Sequence, residues 1–185
     1  MVSILIDDDI LLRTFTNEDA GLLFEAVEES RAHLRPWLSW VDATTKPEHS
    51  VQFVQQTLHW QHNQEGLVLG IFKDRKIIGE IGLHHWDHSL KQGQIGYWIS
   101  KEYEGKGILH QCLVRFVDFL FNKVSLNKIE IRFIPHNTRS AKVAERLGCK
   151  VEGILRQSYL KDGKLEDLVV TGLLKSEWVA PATER

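Results

Sequence analysis

The chain has 185 residues, 43% apolar and 26% charged, with a formal net charge of −2. That length suits one folded domain with a sizeable core, and the charge supplies no basic field for nucleic acid or an anionic membrane. Its two cysteines, Cys112 and Cys149, lack CxxC spacing, which sets aside a disulfide scaffold or zinc ribbon and favours a reducing, cytoplasmic setting. The opening "MVSILIDDDILLRTF" has no cationic leader and only a short apolar run broken by three aspartates, so no secretory signal is expected. No stretch approaches the roughly 18 apolar residues of a membrane span.

Ile10 to Phe15 reads as a first strand, and "TNEDAGLLFEAVEES" starts a helix with Thr16 or Asn17 as its cap. "RAHLRPWLSWVDATTKPEH", broken by Pro36 and Pro47, predicts a short helical turn and a loop. From Pro47, Val51, Val54 and Leu58 recur at helical spacing. "LVLGIFK", the turn "DRK" and "IIGEIGLHH" predict a hairpin, and "QIGYWIS" a further strand. Ile108, Leu109, Cys112, Leu113, Phe116, Val117, Leu120 and Phe121 mark a helix with one broad apolar face. "KIEIRFI" is a strand, "NTRSAKVAERLG" a short helix ending at Gly148, and "KVEGILRQSYL-KDG-KLEDLVVTGLL" a long hairpin. The result is an α/β (α+β) fold with a largely antiparallel central sheet of about seven strands, flanked by helices. It forms a single domain over 1–178, with a loose tail at 179–185. Only the strand–helix–strand unit from Gln94 to Ile134 needs a parallel crossover.

The turn Gly105-Lys106-Gly107 sits between a strand and a helix inside that crossover. It matches neither GxxxxGK[ST] nor GxGxxG, so an ATPase or dehydrogenase loses its main support. A glycine turn at a helix start is either a plain connection or a phosphate cradle. "GYWISKEYEGKGI", followed by "IRFIPHNTRSAKVAERLGC" and "VEGILRQ", resembles the GNAT superfamily of acetyl-CoA-dependent N-acetyltransferases. With "HLRPWLSWV" upstream, the chain is similar to the branch that acetylates ribosomal-protein N-termini. The similarity runs from about Ile10 to Trp178. Two positions depart from the superfamily pattern: Glu104 stands where Gln or Arg is usual, and Leu109 where Gly or Ala is usual.

The resemblance implies that Gly105, Lys106, Gly107, Ile108 and Leu109 hold the pyrophosphate of acetyl-CoA on backbone N–H groups. It implies that the pantetheine arm runs along the strand ending at Trp98 and Ile99, with Asn137 touching it and Ser140 protonating the departing thiolate. The alternative for Asn137 and Ser140 is a helix cap and an ordinary helical residue. Glu80 reads as a partly buried general base or as a hydrogen-bonded strand residue. His33, Trp37, Trp40 and His84 are candidate acceptor-binding residues, with core cover as the alternative for the tryptophans and a plain hairpin residue as the alternative for His84. "HHWDH" does not bring three converging ligands together, so no metal is expected. The expected reaction is direct acetyl transfer in a ternary complex to a protein or peptide N-terminal amine. A small amine is the alternative acceptor, as is a coenzyme A-binding module without turnover. No nucleic-acid or membrane partner is expected, and exposed apolar surface leaves a homodimer open.

Overall fold

The computed structural model describes residues Met1–Val179. Of the tail expected at 179–185, all but Val179 lies outside the described residues. The chain forms two compact units, one of Met1–His85 with Gly96–Leu109 and one of Trp86–Ile95 with His110 onward.

In the first unit, β1 (Ser3–Leu5), β2 (Ile10–Thr14), β3 (Leu67–Lys73) and β4 (Lys76–Asp87, up to His85 here) form an antiparallel meander. With β1, the described residues hold eight strands rather than about seven. Three residues carry no periodicity of their own, and Ser3–Leu5 becomes a strand only through its pairing with Leu11–Arg13. Thr16 caps a short turn at Asn17–Asp19 that leads into α1 (Ala20–Leu34), so the regular helix begins later than the sequence suggested. The Asp19 carboxylate accepts from both Arg13 nitrogens (2.7 and 2.8 Å) and from the Thr16 N–H (2.7 Å). Burial alone would raise that carboxyl, yet the Arg13 fork and the Thr16 donors hold it below the usual value.

α1 runs on past Ser30 to Leu34, so the short helical turn expected there is continuous with it. Arg31 explains the extension, since its guanidinium reaches the Val41 and Thr44 carbonyls and straps the following segment to the helix. α2 (Pro47–Asn63) starts with proline at its first position. Its buried face is Ser50, Val54 and Thr57, whereas Val51 is 41% exposed. The helix is as expected, but its inward face is rotated, because tertiary packing rather than apolar count chose it. Phe15, Leu23, Val27, Val54, Val68, Phe72 and Trp98 belong to one buried cluster in this unit.

In the second unit, the start of β5 (Gln92–Ile99) pairs in parallel with β6 (Lys128–Phe133), over Gln92–Gln94 and Lys128–Glu130. Between them runs α3 (Ile108–Asn122), whose Cys112, Leu113, Phe116, Val117, Leu120 and Phe121 are buried as the pattern required. α4 (Thr138–Arg146) ends before Gly148, at φ +84°. β7 (Lys150–Lys161) and β8 (Lys164–Leu174) form the long hairpin around Asp162-Gly163, both at positive φ. In this unit β6 pairs with β5 on one side and with β8 on the other, and β8 pairs with β7. Of the pairings described, β5–β6 is parallel and the others antiparallel. Among the described residues no helix is long and apolar enough to cross a membrane.

Candidate active site

Alternation along β4 places Glu80, Gly82 and His84 on one face, and the missing side chain at Gly82 makes room between two polar groups. A Cβ at Gly82 would sit 2.5 Å from the His84 ring, so only glycine lets the imidazole lie so close to the strand. These residues border a cavity of about 300 Å³ inside the first unit. α1 contributes Leu23 and Val27, the segment after it Trp40 and Thr44, and α2 His49, Ser50 and Phe53. Gly96, Tyr97 and Trp98 of β5 complete the lining. Trp40 and Trp98 stand with ring centroids 6.5 Å apart, giving the cavity an aromatic wall.

Among the described residues Glu80 is the only acid of that lining. Its residue surface stays partly open because it borders the cavity, but its carboxyl is packed round by protein. Burial pushes it from an ordinary 4.5 up to about 7, and the Trp98 indole N–H, 3.4 Å from one carboxylate oxygen, only partly offsets that. Burial, and then His85, lower the His84 pKa, which keeps this imidazole neutral. Trp60 meets it edge-on at 6.0 Å. His49 accepts the Thr45 N–H at Nδ1 (3.1 Å). A carboxyl that titrates near neutrality, beside the neutral His84 imidazole and aromatic faces, can take a proton from an ammonium.

Gly105 and Gly107 adopt φ of +76° and +80°, and nothing lies within 4 Å of a Cβ built on either. Glycine is therefore required by backbone conformation rather than by crowding. The turn leads directly into Ile108 and Leu109, the first residues of α3, where helical N–H groups have no intrahelical acceptor. In the same first turn, the buried His110 Nδ1 has no hydrogen-bond partner. Positive-φ glycines opening onto a helix start fit a diphosphate. Lys106 is exposed, its ammonium 5.2 Å from the Tyr103 ring centroid. In the second unit, Asn137 caps α4 by accepting the Ser140 N–H at 3.1 Å.

A family model described as an acetyltransferase (GNAT) domain matches residues 9–150. The chain belongs to that family. This GNAT acetyltransferase is 30% identical over 174 residues to YdaF of Bacillus subtilis (strain 168), which is named as a candidate ribosomal N-acetyltransferase; the match covers 94% of this chain and 95% of the relative. It is 26% identical over 175 residues to the ribosomal protein uS5-alanine N-acetyltransferase of Escherichia coli (strain K12), covering 92% and 90%. Among solved structures, the ribosomal-protein-S5-alanine acetyltransferase of Vibrio fischeri superposes with a TM-score of 0.88 at 26% identity, covering 97% of this chain and all of the other (100%). The ribosomal L7/L12 alpha-N-protein acetyltransferase RimL, in complex with coenzyme A, shares the fold, with a TM-score of 0.91 at 21% identity and coverage of 95% and 99%.

Within this GNAT chain, four of the residues singled out from sequence, Glu80, His84, Trp40 and Trp98, line one cavity. Trp98 enters through its indole as well as its strand backbone, which the sequence did not suggest. Ile99 is buried, and the following Ser100 N–H bonds back to Ile78. His33 and Trp37 are not among the cavity lining. Trp37 closes the end of α1 through its N–H to the Leu34 carbonyl, and His33 lies 3.8 Å from Glu104. His49, Ser50, Phe53 and Tyr97 were missed. Their one available signal was position, since His49 and Ser50 occupy the first turn of the helix that Pro47 opens. Among the described residues no group of His, Cys, Asp or Glu is arranged to hold a metal. His88 instead stacks on Trp86 at 4.7 Å.

Proposed function

We propose that the chain transfers the acetyl group of acetyl-CoA to the α-amino group of a protein or peptide N-terminus, within a ternary complex. The cavity around Glu80 carries this reading. An α-amino group with a pKa of about 7.7–8.0 needs only a base of similar strength, and Glu80 titrates at about 7. One acid in the lining gives a polycation little to hold, which favours a peptide end over a polyamine. The relatives named as a ribosomal and a ribosomal protein uS5-alanine N-acetyltransferase support a protein acceptor.

Acetyl-CoA supplies the activated thioester, and the residues of this chain do the rest. Gly105–Leu109 bind the diphosphate through backbone N–H groups. Trp40 and Trp98 position the acceptor against Glu80, which takes the ammonium proton. The strand backbone near Trp98 and Ile99 stabilises the oxyanion. Ser140 donates a proton to the leaving thiolate, while Asn137, which shapes that helix start, contacts the pantetheine arm.

The test is acetylation of a peptide panel, varied at the first residue and run beside polyamines, amino sugars and free amino acids. Thiol release is followed and the product mass is measured. Peptides beginning with Ala or Ser should be acetylated at the α-amine. Turnover of a small amine with no peptide acetylated would overturn the acceptor assignment.

A further inference from the structure

Glu104 puts a carboxylate next to Gly105, at the mouth of the turn read as the diphosphate cradle. An anion there opposes a diphosphate, by direct repulsion and by competing for the same N–H donors. The structure gives this carboxylate a neighbour. The imidazole Nε2 of His33 lies 3.8 Å from a Glu104 carboxylate oxygen, and both side chains are largely covered, with 14% and 25% of their surface exposed. His33 is the penultimate residue of α1, at the helix end whose macrodipole favours a cation. Two negative features, the helix end and the Glu104 carboxylate, therefore bear on one imidazole. Lys106 lies over the Tyr103 ring.

We infer that His33 is a positioning residue for cofactor binding: it holds the Glu104 carboxylate against the end of α1 and so keeps the cradle of Gly105–Leu109 open to the diphosphate. This inference rests on reading that turn as the cofactor site. His33 touches neither the acceptor nor the reacting atoms in this role. It explains how a turn with an acid in this position can still take a polyanion, and it gives a half-buried histidine outside the cavity lining a task.

The experiment is calorimetric titration of the full chain with coenzyme A, as wild type, His33→Ala, Glu104→Gln and the double variant. Steady-state kinetics in acetyl-CoA accompany it. His33→Ala should weaken coenzyme A about three- to tenfold, the range of a partly covered ion pair, with the change in KM for acetyl-CoA rather than in kcat. Glu104→Gln should bind at least as tightly as wild type, and adding His33→Ala to it should change nothing further. His33→Lys, which places an ammonium beside the carboxylate, should bind at or near the wild-type level, and thermal melts confirm that each variant folds. Equal weakening by His33→Ala in both backgrounds would make the residue merely structural and overturn the inference, as would no weakening in either. Wild type that binds no coenzyme A would overturn the cofactor reading itself, and this inference with it.

Discussion

Replacing Glu80 by Gln should cost activity and, at alkaline pH, raise stability. In the unfolded chain this carboxyl titrates near 4.5, and in the fold at about 7. Below the lower value it is protonated in both states and folding is not penalised. As the pH rises from the lower value to the folded one, the unfolded chain ionises while burial keeps the native carboxyl protonated, so stability falls. The loss is complete once the native carboxyl ionises too. The difference, at about 1.4 kcal/mol per pH unit, is about 3 kcal/mol at most, reduced by whatever water in the cavity solvates the charge. Between pH 5 and 8.5 the stability gap between the Gln variant and wild type should therefore open by about 2–3 kcal/mol in the variant's favour. For a chain of this size that is a relative gain of about 5–10 °C in Tm. Any change in the hydrogen bond with Trp98 shifts both ends of the range alike, so the pH-dependent part is diagnostic. Thermal melts of both proteins across that range measure it, beside pH profiles of kcat/KM with one fixed peptide. The variant should lose about two to four orders of magnitude in kcat/KM, together with the inflection near pH 7. A stability gap independent of pH would refute the raised carboxyl, and retained activity would remove Glu80 from proton transfer.

Three further outcomes follow from named contacts. Ser140→Ala should lower kcat and leave coenzyme A affinity unchanged by calorimetry; an unchanged rate would exclude Ser140 as proton donor. Gly107→Ala forces a side chain onto φ +80°, which costs about 1–2 kcal/mol. It should also weaken coenzyme A binding, and intact binding would remove the turn from the cofactor site. Asp19→Asn breaks the forked contact with Arg13 and should destabilise the chain by about 3 kcal/mol. Because the folded carboxyl lies below its ordinary 3.8, that stabilisation is present above this value and disappears as the pH falls through the folded one. Melts of the variant should therefore show none of the corresponding loss on acidification.

Local chemistry alone determined much of this protein. The glycines at 105 and 107, the apolar stripe from Cys112 to Phe121 and the turn at Asp162-Gly163 each demand their conformation within a few residues, so the crossover helix, the glycine turn before it and the long hairpin were legible directly. Glu80 and His84 were candidates with bland alternatives in the sequence, and only the structure, through the closeness of the His84 ring to Gly82, brings both to one cavity.

Only the tertiary structure decided what depends on a distant partner. Ser3–Leu5 is a strand because Leu11–Arg13 lies beside it, and α2 turns Ser50 rather than Val51 inward because the neighbouring core sets its rotation. His49 entered the cavity, and His33 met Glu104 instead, through approaches of segments separated by tens of residues. Periodicity records which residues prefer to leave water. It does not record which surface they meet when they do, and that meeting sets both the proton affinity of Glu80 and the neighbour of Glu104.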